Sequence, residues 1–213
     1  MNLSEIYHQF LEGLYGTSWP EGIAVVTGIG SVWFSKKENI LVYPVGLINT
    51  VLFIFISVKA SLFGEAAVNF YFTIMSIYGW LQWVKKDKIK RPVLQISYSD
   101  SKWIKYQLIF FLSSFILIYV SLHFLKKYFV SGAIPWADAI ASAAAFTGMW
   151  LMTKKKVESW WWWILTNLFS APLYFVKGLA FTSVYYIVLL ILAIFGLISW
   201  QRKAKLTIHP LNT

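Results

Sequence analysis

Cysteine is missing altogether from the 213 residues. That excludes disulfides, a thiolate nucleophile and a cysteine-held metal. Charge is scarce: Asp, Glu, Lys and Arg make up 13% of the chain, against about 25% in a soluble domain. The nine acids (Glu5, Glu12, Glu21, Glu38, Glu65, Asp87, Asp100, Asp138 and Glu158) all fall in loops or near the ends of apolar runs. The three histidines, His8, His123 and His209, lie in three separate regions. No HExxH, GxSxG or P-loop pattern occurs. An intramembrane enzyme would have nothing to work with, so the expectation is no enzyme, no cofactor and no metal. Mid-run carboxylates and histidines, which proton or sodium coupling usually leaves inside a membrane, are lacking too.

What is present is apolar and aromatic. Hydrophobic residues reach 58%, with 12 Trp, 12 Tyr and 17 Phe, and the mean hydropathy is +0.61. Apolar runs cover 21–35, 40–58, 66–84, 104–125, 136–153, 160–176 and 181–201. Backbone groups in lipid must bond within their own segment, so each run reads as a transmembrane helix. The fold class expected is an all-α membrane protein with seven spans. Residues 1–18 carry Leu3, Ile6, Tyr7, Phe10, Leu11 and Leu14 on one stripe, which suits a helix lying on the lipid surface.

The net charge of +10 is not read as a nucleic-acid signature, because the basic residues sit in short clusters between the runs. With the N-terminus outside the cytoplasm, fifteen of the nineteen lysines and arginines face inward. They are Lys36, Lys37, seven between 85 and 105, Lys154–Lys156, and Arg202, Lys203 and Lys205. Only Lys59, Lys126, Lys127 and Lys177 remain outside, where Lys59 and Lys177 are placed to snorkel outward. That asymmetry predicts N-out, C-in.

An internal repeat is also legible. At a shift of 117, Trp19 meets Trp136, Ala24 meets Ala141, Gly79 meets Gly196 and Trp83 meets Trp200; at 118, Asn49 meets Asn167 and Lys59 meets Lys177. The chain then divides into a surface segment (1–18), a first three-helix unit (19–86), a loop and linker helix (87–130), a second three-helix unit (131–203) and a tail (204–213). An odd linker makes the halves parallel, a 3+1+3 arrangement with its site between them.

Candidate site residues follow from spacing. Trp160, Trp163 and Asn167 stand at i, i+3 and i+7, on one helical face. Two indoles and an amide there suit a flat, polar, uncharged-to-cationic ring; an interfacial tryptophan belt is the plainer account of the four consecutive indoles, and Trp161 turns away. Asn49 and Asn167 are mid-run amides that need a partner, either the solute or a neighbouring helix. Asn69, Thr73, Ser76 and Trp80 form one face of the third run, with Tyr78 on the next. Trp83, beside Lys85, reads as an interfacial anchor, and Tyr185 and Tyr186 of the last run point inward or pack.

Residues 46–49 (GLIN), 77–83 (IYGWLQW), 152–160 (MTKKKVESW) and the Trp160-x2-Trp163-x3-Asn167 spacing resemble the PnuC-type vitamin transporters. The resemblance runs from about Trp19 to Trp200. It implies a fold similar to full-length SWEET proteins and facilitated diffusion of nicotinamide riboside across the bacterial inner membrane. It further implies trapping by a cytosolic kinase and assembly as a homotrimer in the lipid bilayer. Under it, Trp160 and Trp163 would stack on the pyridinium, and Asn167 and Asn49 would bond the carboxamide or ribose. Asn69, Ser76, Tyr78, Trp80 and Tyr186 would complete the lining. The chain departs from the family pattern where Ser76 replaces an asparagine and Asn69 a glutamine. Thiamine is the alternative vitamin, and a SWEET-like sugar pore the alternative of another kind.

Overall fold

A computed structural model describes residues 3–59, 63–129 and 134–208. Among them stand eight helices and no strand: α1 (Leu3–Gly16), α2 (Trp19–Lys36), α3 (Val42–Lys59), α4 (Phe63–Trp83), α5 (Ser101–Phe129), α6 (Pro135–Thr153), α7 (Ser159–Val176) and α8 (Ala180–Ile208). Each of the seven apolar runs lies along one of α2 to α8. His209 lies outside the described residues.

Local signals set the starts. Ser18 donates its backbone N–H and its hydroxyl to the Glu21 carboxylate, both at 2.7 Å, and Pro20 occupies the first turn of α2. Pro135 opens α6, where Asp138 accepts the Ile134 N–H at 2.8 Å. Three helices are long and apolar enough to cross a membrane by length and composition: α3, α5 over Ser101–Phe124, and α8 over Ala180–Leu206. The other long helices carry more Gly, Ala, Ser, Trp and Tyr, which are nearly neutral in hydropathy. Large apolar side chains nevertheless face outward on them as well, among them Val26 on α2, Phe70 on α4, Trp136 on α6 and Leu168 on α7.

Packing follows two triplets. α2 lies on α3 and α3 on α4; α6 lies on α7 and α7 on α8; α2 meets α8 and α4 meets α6 across the middle. α5 packs on α6, and α1 docks on α8, where Phe10 meets Phe181.

Contacts recur 117 positions along the chain. Tyr43 meets Trp83 edge-on at 5.1 Å and 86°, and Trp160 meets Trp200 at 5.6 Å and 86°. A Cβ on Gly79 would strike the Tyr43 ring, and one on Gly196 the Trp160 ring. The Trp83 indole donates to Met152 O at 3.3 Å, and the Trp200 indole to Ser35 O at 3.0 Å. Asn49 donates to Ala24 O at 2.6 Å, and Thr166 to Ala141 O at 3.3 Å. The counterpart of Asn49 is thus Thr166, not Asn167 as the 118 shift suggested. A one-residue slip is invisible in sequence because both are small and polar.

Candidate functional site

Helix α7 presents Trp160, Trp163, Asn167, Ser170 and Tyr174 at alternating steps of three and four, and its capping residue Lys177 continues them, so one stripe runs its whole length. Its lower end is core. Trp160 is 1% exposed and held between Gly196 and Trp200. With Tyr43, Trp83 and Trp200 it forms a floor at the lysine-rich end of the bundle. Two polar atoms in that floor are sealed and find no protein partner: the Tyr43 hydroxyl and the Trp160 indole N–H. Each such orphan costs about 1–3 kcal/mol.

One turn up, Trp163 is only partly buried. Its indole rests on Gly148 of α6 and faces Phe72 of α4 at 6.0 Å. Across the triplets the sizes are exchanged: Gly46 stands where Trp163 would recur, and Ser31 fills the place of Gly148. Another turn up, Asn167 is 3% exposed and its side chain makes no hydrogen bond among the described residues. Its amide is nevertheless not among the sealed polar atoms, so it keeps a sliver of open surface inside the bundle. An unbonded amide in such a place is expensive unless something polar reaches it. Higher still, Tyr174 stacks on Tyr186 of α8 at 5.1 Å and 11°, with Ser170 beside the Tyr186 hydroxyl.

The remaining candidates scatter. Asn49 uses its N–H on Ala24 O, near the Tyr185 hydroxyl in the gap left by Gly28. Asn69 bonds back to Glu65 O at 2.9 Å within α4. Ser76 is buried near Gly46. Tyr78 takes a hydrogen bond from the Lys154 ammonium, and Trp80 is 38% exposed. Trp161 turns outward at 56% exposure. Two expectations need correction. Trp83 is not an interfacial anchor: it is 7% exposed, because its indole N–H is spent on Met152. Lys177 does not snorkel free, since Asp138 on the neighbouring helix pairs with it at 2.9 Å.

Sequence reasoning missed three residues. Gln107 of α5 is buried and accepts the Trp162 indole N–H at 2.8 Å. Glu38 and Lys155, counterparts at 117, form an ion pair at 2.8 Å, and Lys203 adds a second at 3.0 Å. Burial pushes the Glu38 carboxyl up, but Lys155 and Lys203 outweigh it and hold it below its ordinary value. For Glu38 and Lys155 the signal in the sequence was the repeat itself; nothing in it marked Gln107 on the linker helix.

Comparison with known proteins fits a chain of this design. Residues 18–202 match the family model described as nicotinamide mononucleotide transporter. The chain belongs to the nicotinamide mononucleotide transporter family. This family member is 25% identical over 213 residues to the nicotinamide riboside transporter PnuC of Escherichia coli (strain K12), covering 91% of this chain and 89% of that protein. It is 23% identical over 192 residues to the riboflavin/roseoflavin transporter RibM of Streptomyces davaonensis, with 90% and 89% covered. A crystal structure of the vitamin B3 transporter PnuC shares the fold, with a TM-score of 0.70 at 21% identity over 95% of this chain and 89% of that one. The PnuC-type resemblance read from the motifs therefore holds, and this member of the transporter family is a multi-pass membrane protein that carries a small molecule.

Proposed function

We propose that the protein carries nicotinamide riboside into the cytoplasm by facilitated diffusion, and that the passage lies between two parallel three-helix units, α2–α4 and α6–α8, joined by α5. The observation that carries this is Asn167: a buried, unbonded amide one turn above a partly exposed indole, in the middle of α7. Trp163 would take the face of the pyridinium, and Asn167 its carboxamide or the ribose. Tyr186 and the stacked Tyr174 would line the approach. The 25% identical relative named for nicotinamide riboside supports that vitamin. Seven spans in the 3+1+3 order of SWEET proteins are supported by the contacts that recur at 117 and by the outward apolar residues on helices beyond the three most hydrophobic. The lysine asymmetry supports an inner-membrane setting with the N-terminus outside. A cytosolic kinase would trap the solute, since uncharged groups such as Asn167 and Trp163 would receive a phosphate dianion poorly. Assembly as a trimer belongs to the same reading.

A second reading has its own observation. The 23% identical relative named for riboflavin and roseoflavin supports another flat vitamin as the solute, and thiamine is a third candidate. Pure protein in liposomes decides among them. Flux of labelled nicotinamide riboside, competed by the unlabelled compound but not by thiamine or riboflavin, is the expected result. Flux of either other vitamin in its place would reverse the order, and flux of glucose alone would point to a sugar pore.

A further inference from the structure

We propose that Glu38 and Lys155 are the latch that holds the lysine-rich, cytoplasm-facing end of the passage shut. The inference rests on the transport reading above for the direction of that end. The two residues sit in the turns after α2 and α6, at positions 117 apart, and they bond to each other at 2.8 Å. Around them, each half grips the other through matching contacts: the Trp83 indole on Met152 O, the Trp200 indole on Ser35 O, and Ser35 Oγ on Met152 Sδ at 3.0 Å. The ion pair thus stands on the line about which the halves exchange, below the aromatic floor, and Trp160 of that floor is already two turns below Asn167. A flat solute at Asn167 cannot leave downward without parting this pair.

The backbone argues that these side chains are there for a purpose. Glu38 has φ 61° and Lys155 φ 52°, the left-handed region where glycine is the ordinary choice and other residues are strained. Glycine at either place would relieve the strain and abolish the pair. The floor above is also held in a costly state, because the Tyr43 hydroxyl and its counterpart, the Trp160 N–H, are sealed without partners. Opening would hydrate both. An arrangement in which strain and orphaned polar groups press one way and an ion pair the other is poised between two states, as a gate must be. A merely static plug would gain by losing these costs.

The chain has no cysteine, so a double variant, E38C/K155C, can be joined by a short bis-thiosulfonate with no competing thiol. In liposomes, joining the two should abolish nicotinamide riboside flux while leaving binding of that solute intact, and reduction should restore the flux. Undiminished flux through the joined protein would overturn the proposal. So would equal loss in E38C or K155C alone treated with the same reagent, because no bridge forms there. Failure of the transport reading shows separately, as absent flux in the unmodified protein; the bridge is then read with whichever of thiamine or riboflavin moves. If the double variant does not fold, E38Q gives a second test. Backbone hydrogen exchange in the turns at 37–41 and 154–158 should speed up with solute binding retained, and unchanged exchange would sink the latch.

Discussion

Asn167 and Trp160 are seven residues apart on one face, yet their surroundings assign them different work. Asn167 keeps a free amide and some open surface, whereas Trp160 is walled in by Gly196 and Trp200. Replacing Asn167 by Ala should therefore weaken solute binding about tenfold, or about 1.4 kcal/mol, with little change in melting temperature; titration of the purified protein checks it. W160A should do the reverse to stability, removing a buried indole at a cost of about 3–5 kcal/mol, read by thermal unfolding in detergent. Trp161, outward at 56% exposure, should tolerate Ala in both assays. Binding lost equally in all three would mean that α7 is simply disturbed, and that the amide has no private role.

At the scale of the element, the stripe on α7 crosses three environments in five turns: the aromatic floor, the unbonded Asn167 amide in the middle, and the Asp138–Lys177 ion pair at the far end. The floor depends on glycine for close approach rather than for backbone freedom. At Gly79 a methyl group would lie 2.5 Å from Tyr43 ring atoms, and at Gly196 one would lie 2.4 Å from Trp160 ring atoms. Neither ring can swing away, since each is fully enclosed. G79A and G196A should each destabilise the fold by about 1–3 kcal/mol through overpacking, whereas G16A, which meets nothing within 4 Å, should not. Thermal melting of the three variants side by side tests the contrast. The Gly46–Trp163 exchange shows how a near-repeat becomes asymmetric: one triplet carries the indole, and the other has Gly46 in its equivalent place with the Ser31 side chain packed against it.

Across the whole molecule, the two triplets are joined at the lysine-rich end by charge as well as by indole-to-carbonyl bonds. Glu38 lies between Lys155 and Lys203, and its carboxyl is held below its ordinary value of 4.5. The sign follows. A depressed folded value means that the ion pairs contribute in full above that ordinary value, and the contribution fades as pH falls through the lowered one. Melting temperature should accordingly drop on acidification through the carboxylate range, and E38Q should flatten part of that slope. An E38Q protein with the same pH dependence as the parent would show that other carboxylates carry it.

The seven apolar runs and the charge asymmetry were legible in the sequence alone, because they depend only on local composition and on what lipid does to an unbonded backbone. The helices appear where the runs predicted them. The motif around Trp160-x2-Trp163-x3-Asn167 was equally visible, since spacing on a helix is a local property. What each of those residues meets was not. That Trp83 bonds across the middle and that Glu38 finds Lys155 depend on which helices come together from opposite halves, and that Asn49 answers to Thr166 shows only in the matching bonds each makes within its own half. The two cross-half contacts join residues 69 and 117 positions apart, and no local pattern records a distance that only packing closes.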